Sequence, residues 1–189
     1  MHEGFDWMQK SLDIRTPLNV EICKSLNAGD SVLLSGCIYT GRDVAHRRLF
    51  EAIGRGEDLP VNLRNEVMFY AAPTPARPGQ AIGSVGPTTS YRMDAFTPRL
   101  IEAGLRGMIG KGKRSPEVIE AIIKHNAVYF GAIGGIAALT SRCIKTAAVV
   151  AYDDLGPEAI MRLEVVRLPL VVVNDVRGRD LFQEVLRKV

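Results

Sequence analysis

The sequence predicts an α/β fold with a mixed sheet. Three observations carry that expectation. Apolar β-rich runs alternate with segments of helical apolar spacing, Gly and Pro punctuate the joins, and a proline-rich middle breaks the regular rhythm. The 189 residues, 47% apolar and 24% charged, suit one domain spanning 1–189 that needs no staples to hold a core.

Residues 32–39, Val-Leu-Leu-Ser-Gly-Cys-Ile-Tyr, read as a buried strand. Residues 44–53 follow with helical apolar spacing; Thr40 is the expected N-cap, Asp43 completes a capping box, and Gly54 and Gly56 end the helix. Between 57 and 86 lie Pro60, Pro73, Pro75 and Pro78, with Pro87 at the edge, around two short strands at 66–71 and 80–85. A helix over 93–103 then leads into a strand, Gly107–Gly110. Ser115 caps the next helix with Pro116 at its first position. Strands at 128–130, 147–152 and 170–173 and a closing amphipathic helix at 180–187 complete the reading.

Charge and cysteine content exclude several function classes. Lys plus Arg is 24 against 21 for Asp plus Glu, and the basic residues form no run of five or six, which argues against a nucleic-acid surface or polybasic membrane tail. The apolar stretches at 147–152 and 168–173 are far shorter than the roughly 20 residues that span a bilayer. The N-terminus carries acids where a secretory signal would be basic and then apolar, so a soluble, cytoplasmic protein is expected. Cys23, Cys37 and Cys143 are odd in number and show no C-x-x-C spacing, so neither a disulfide framework nor a metal site built wholly from this chain is expected.

Three joins combine Gly, hydroxyl and basic residues ahead of an expected helix: Tyr39-Thr-Gly-Arg-Asp43, Gly86-Pro-Thr-Thr-Ser-Tyr-Arg-Met-Asp94 and Gly110-Lys-Gly-Lys-Arg-Ser-Pro116. Free backbone N–H groups and the positive end of the helix dipole make such turns anion sites, and Arg adds a fork for carboxylate or phosphate. None is a P-loop, since Lys113 is followed by Arg114 where Ser or Thr is required. The Gly131-Ala-Ile-Gly-Gly135 stretch lacks the acidic partner of a dinucleotide site, and no Gly-x-Ser-x-Gly surrounds any serine. His46 reads as a packing or supporting residue. The residues therefore describe an anion-binding α/β domain without a complete catalytic apparatus.

Four segments together resemble a known family: Gly36-Cys-Ile-Tyr-Thr-Gly-Arg-Asp-Val-Ala-His46, Gly86-Pro-Thr-Thr-Ser-Tyr-Arg-Met-Asp-Ala-Phe-Thr-Pro98, Gly107-Met-Ile-Gly-Lys-Gly-Lys-Arg-Ser-Pro116 and Ala151-Tyr-Asp-Asp-Leu-Gly-Pro-Glu-Ala159. In this order, across roughly residues 12–182, they resemble the β subunit, or C-terminal domain, of the iron–sulfur hydro-lyases, class I fumarate hydratase and L-tartrate dehydratase. The resemblance implies a swivelling β/β/α domain and reversible hydration of fumarate to (S)-malate. It implies an iron–sulfur α subunit whose three cysteines hold a [4Fe–4S] cluster, with the unligated iron on the substrate's hydroxyl and a carboxylate. An α2β2 assembly is the family expectation.

By the same resemblance Arg42, Arg92 and Lys111 bind the substrate carboxylates and Thr88 abstracts the proton. Those cations would stabilise the charge of an aci-carboxylate intermediate and acidify the neighbouring C–H. Thr88 is a poor base at its ordinary pKa, so help from Arg92 and a helix N-terminus is expected. The three cations should be accessible without the partner. Tyr91 stands where relatives carry a small residue, which would narrow the site or pack on the partner. Fumarate is favoured over tartrate as the commoner substrate; a non-catalytic carboxylate-binding module is the remaining alternative.

Overall fold

The computed structural model describes residues 11–76, 79, 81–132 and 137–187. Five strands run parallel in the order β1 (Leu12–Arg15), β2 (Ser31–Thr40), β3 (Val67–Phe69), β4 (Gly107–Gly110) and β5 (Val128–Ala132). A long final strand, β7 (Ile160–Asn174), pairs antiparallel with β2 along one edge and with β5 and β6 (Ile144–Ala151) along the other. Strands β2, β3, β4, β5 and β7 thus close into a ring, with β1 and β6 as outlying edges. The mixed α/β class expected from the sequence holds, with this closed strand arrangement added.

Alternation along the short parallel strands fills two cores. Val67, Phe69, Ile109, Val128 and Phe130 point into one, shared with β2 and β7. Met68, Tyr70, Met108 and Tyr129 point into the other, beneath α2 (Asp43–Arg55), α3 (Thr97–Glu102) and α4 (Pro116–His125). Burial on both faces is why these strands read as continuous apolar runs. Helix α2 buries Ala45, Leu49 and Ala52 at helical spacing and ends on Gly56, left-handed at φ 68°. Helix α4 starts with Pro116 in its first turn and ends on Asn126, at φ 54°.

Several expectations are corrected. Helix α2 continues through Gly54, and its N-cap position is Arg42, with no side-chain cap bond. Thr40 instead receives the Met161 N–H on its hydroxyl oxygen at 3.0 Å, so β7 has claimed the group that would have capped the helix. The helix expected over 93–103 is a 3₁₀ turn, Ser90–Met93, followed by the short α3. Pro98 has no N–H to give to the carbonyl of Asp94, so a helix through that point would lose a bond; α3 places Pro98 in its first turn, where none is needed. The second strand of the proline-rich middle is absent. Gln80 lies outside the described residues, and 81–85 form a loop tied to Thr74 by Thr74 N–H to the Ser84 carbonyl and Ser84 N–H to the Thr74 hydroxyl. Strand β1, α1 (Val20–Ser25), α5 (Ala137–Cys143) and the first ten residues of β7 were not anticipated. The closing helix is α6 (Leu181–Leu186), capped by Asp180, whose carboxylate accepts from Phe182 N at 2.8 Å.

Gly36 is the tight point of β2. Its φ is +109°, it sits at a register shift against β7, and a Cβ there would strike the Thr16 hydroxyl and lie 3.2 Å from the Thr16 carbonyl oxygen. Gly36→Ala should therefore cost about 2–4 kcal/mol from backbone strain plus overpacking. Urea unfolding checks this: the midpoint should fall with the m-value unchanged.

Candidate functional site

The four residues singled out in the sequence lie on the segments that leave, or pack against, the carboxyl ends of the parallel strands β2, β3 and β4. Strand β2 delivers Arg42, after Gly41 has donated its N–H to the Phe69 carbonyl at 3.0 Å. The carbonyl of Tyr70, just past β3, accepts the Thr88 N–H at 2.6 Å, bringing the Gly-Pro-Thr-Thr segment onto the sheet end. Beyond β4, Lys111 pairs with Thr89 in a parallel bridge and its carbonyl accepts the Ser90 N–H at 2.9 Å. Arg92 follows in the 3₁₀ turn. Two glycines allow this close approach. A Cβ on Gly110 would strike Ser90 Oγ and lie 3.0 Å from the Tyr70 ring, and one on Gly41 would sit 2.5 Å from Met68 Sδ.

The charged groups divide into engaged and free. Asp43 bridges two arginines: Arg92 Nη2 donates to Oδ2 at 2.7 Å, and Arg42 Nε lies 3.6 Å from Oδ1. Arg42 Nη1 also meets Glu158 Oε1 at 3.1 Å. Burial works against the Asp43 charge, but its own backbone N–H and the bond from Arg92, aided by the charges of Arg92 and Arg42, outweigh it and hold the carboxyl below its usual range. Lys111 is exposed, and neither its ammonium nor the Thr88 hydroxyl bonds to any other described residue. Accessibility without a partner holds for Lys111 and for Arg92, whose side chain is 40% exposed. Arg42, at 21%, is half-buried between Asp43 and Glu158, and the open access expected of it is corrected accordingly. One nitrogen of the Arg92 guanidinium, Nη2, is engaged by Asp43, and no bond from Arg92 to the Thr88 hydroxyl is present among the described residues. Tyr91 turns its ring outward, 68% exposed.

Beneath the site lies a network that sequence reasoning missed. Arg114, which reads as the end of a basic turn, has no exposed side-chain surface. Its Nε donates to Asp94 at 2.8 Å, its Nη2 donates to Thr97 Oγ1 at 3.0 Å, and its guanidinium lies 4.8 Å from the Tyr129 ring centre and 5.2 Å from that of Tyr70. Asp94 also accepts the Ser115 N–H at 2.7 Å, and the Tyr129 hydroxyl joins Ser90 Oγ at 2.9 Å and the Gly112 carbonyl at 3.0 Å. The turn carrying Arg92 and the turn carrying Lys111 are thus clamped together from below. Asp94 and Arg114 stand twenty positions apart, and no spacing rule links them.

His46 supports the site from inside α2. Its Nδ1–H donates to the Arg42 carbonyl at 2.8 Å, its ring meets Tyr70 edge-on at 5.0 Å, and Nε2 is buried without a partner among the described residues. Burial pulls its pKa down to about 4; the Arg42 carbonyl and Asp43 oppose this, and Arg114 adds to it. The unfolded state therefore takes up a proton near pH 6.5 that the folded state refuses until about pH 4. The resulting stability is complete above pH 6.5 and lost as pH falls towards 4, up to about 3 kcal/mol. Urea titrations from pH 7 to 4 should show that decline flattened by about this amount in His46→Gln relative to wild type.

Among the described residues no three His, Cys, Asp or Glu gather to hold a metal. The cysteines lie apart: Cys23 is buried, which pushes its thiol up to about 12, Cys37 Sγ accepts from Arg162, and Cys143 Sγ lies 3.8 Å from the Arg167 carbonyl. These donors do not fit an iron–sulfur cluster.

Fold and site together define a class: an α/β domain with a closed strand ring whose strand ends carry clustered Arg, Lys and hydroxyl groups. The chain belongs to the fumarase C-terminus family, whose profile matches residues 2–185. It is 38% identical over 179 residues to the aerobic class I fumarate hydratase of Salmonella typhimurium, covering 92% of this chain and 31% of that protein. It is 41% identical over 157 residues to the anaerobic class I fumarate hydratase of Escherichia coli, covering 82% and 29%. A putative L(+)-tartrate dehydratase subunit beta from Methanocaldococcus jannaschii is 36% identical over 172 residues, covering 88% of both chains. The chain thus spans about a third of the length of those fumarate hydratases and most of the tartrate dehydratase subunit.

Proposed function

We propose that this chain is the β part of a hydro-lyase that reversibly hydrates fumarate to (S)-malate, acting with an α subunit that holds a [4Fe–4S] cluster. The observation that carries the reading is the convergence of Arg42, Thr88, Arg92 and Lys111 at one end of the sheet, with the Thr88 hydroxyl and the Lys111 ammonium unengaged by described residues. The match over 88% of both lengths to a relative named as a subunit beta supports a partner, and we place the pair in an α2β2 assembly.

In the malate-to-fumarate direction the deprotonated Thr88 Oγ takes the C3 proton, the C3–H electron pair becomes the carbon–carbon π bond, and the C2 hydroxyl leaves with the C–O pair as hydroxide. Release of the proton from Thr88 then makes the net loss one water, and hydration reverses these steps. The α subunit's [4Fe–4S] cluster would supply the Lewis acid for the departing hydroxyl. The carboxylate beside C3 gains charge as the proton leaves. Arg42, Arg92 and Lys111 stabilise that charge where it develops and so lower the barrier. Asp43 and Glu158 pair with Arg42 and Arg92, whereas Lys111 has no carboxylate partner among the described residues. The whole domain closes over the substrate by swivelling against its partner. A second reading, dehydration of L-tartrate to oxaloacetate, is favoured by the relative that this chain matches over 88% of both lengths.

Anaerobic assay of the chain with its α subunit tests the proposal. Fumarate hydration is expected only in the mixture, and tartrate turnover would support the second reading. Inactivity on both with an intact cluster would overturn the proposal in favour of a binding module. Thr88→Ala should lower kcat by about 10²–10⁴-fold with KM within about threefold; an unchanged kcat would remove Thr88 from proton transfer.

A further inference from the structure

The fourth segment, Ala151-Tyr-Asp-Asp-Leu-Gly-Pro-Glu-Ala159, contributes none of the four proposed site residues, yet the structure brings its end against Arg42. We propose that Glu158 is a positioning residue that sets which edge of the Arg42 guanidinium faces the substrate carboxylate. The inference rests on the function proposed above and extends it.

Arg42 is held from two sides. Glu158 Oε1 takes Nη1 at 3.1 Å, Asp43 Oδ1 lies 3.6 Å from Nε, and Nη2 has no partner among the described residues. With Nη1 turned to Glu158 and Nε to Asp43, Nη2 is the nitrogen that leads the face of Arg42 left to a substrate carboxylate. The path that delivers Glu158 is fixed at several points. The Thr40 hydroxyl donates to the Ala159 carbonyl at 3.4 Å and accepts the Met161 N–H at 3.0 Å, fastening the residue after Glu158 to the strand end that carries Arg42. Further back, Asp154 accepts two bonds from Arg48, at 2.8 and 2.6 Å, and the Arg48 guanidinium lies 5.2 Å from the Tyr152 ring centre. Gly156 turns the chain at φ 55° and ψ −121°, where side-chain-bearing residues are strained, although a Cβ there would meet nothing within 4 Å. That glycine serves the path of the backbone and not a packing need. The Arg48–Asp154 pair joins this strap to α2 through two bonds from one guanidinium.

The test uses the complex with the α subunit. Glu158→Ala should raise KM for the turned-over dicarboxylate about tenfold with kcat within about threefold, whereas Glu158→Gln, which keeps an acceptor oxygen, should raise KM less than about threefold. Arg48→Ala, which frees the strap away from Arg42, should raise KM in the same sense and provides a second variant if Glu158→Ala does not assemble. In an Arg42→Ala background, adding Glu158→Ala should change KM less than about twofold, because the effect runs through Arg42 alone. A general structural role would persist in that background, so undiminished additivity there overturns the inference, as does an unchanged KM in Glu158→Ala. A wild-type complex inactive on both fumarate and tartrate would overturn the function and this inference with it; an active wild type separates the two.

Discussion

Everything at the site depends on one strand that carries none of the four proposed ligand contacts. Strand β7 pairs with β2 on one edge and with β5 on the other, and this double pairing turns a row of short parallel strands into a closed ring. Strands of three to five residues such as β3, β4 and β5 are too short to define a precise surface by themselves. Held within a ring and buried on both faces, their carboxyl ends become a fixed rim. The turns that leave the rim can then be short, and the backbone bonds at Gly41, Thr88 and Ser90 set each against its neighbour.

On that rim the electrostatic problem is to keep several cations close together. The answer is a pair of carboxylates set among them. Asp43, at the first position of α2, holds Arg42 and Arg92, and Glu158 holds the far side of Arg42. Below, Arg114 retains its charge out of water because Asp94 and two tyrosine rings surround it, and it stiffens both turns at once. Precision comes from the buried layer and charge from the exposed one, the division of labour expected where a site must be pre-organised.

Much of this was legible in the residues, for reasons that can be named. Strand β4 was found with its observed bounds because its neighbours on both faces are apolar, leaving an unbroken run between turn glycines. Strand β7 was visible only from Leu170 onwards, since its first half interleaves Arg162, Glu164 and Arg167 with buried Leu163 and Val165 and reads as polar. The capping pattern at Thr40 and Asp43 misled because both side chains serve distant partners: the Thr40 hydroxyl bonds across to β7, and the Asp43 carboxylate to Arg92. At the site, Gly, hydroxyl and basic residues ahead of helices identified the anion turns, and the family resemblance selected Arg42, Thr88, Arg92 and Lys111 from them. The supporting residues Asp43, Glu158, Asp94 and Arg114 were out of reach, because ion pairs between remote segments leave no local pattern.

The order of the chain has a further consequence for how the molecule is made. All four proposed contacts, up to Lys111, are synthesised before Ile160 begins the strand that closes the ring. A nascent chain at that stage has β2 with its long edge unpaired and β5 without its outer neighbour, the kind of open edge that recruits other strands. The closed rim and the Thr40 anchor both await β7. Synthesis therefore delivers the proposed ligand groups early and their geometry late, and the growing chain is open to misassembly until β7 has paired with both edges.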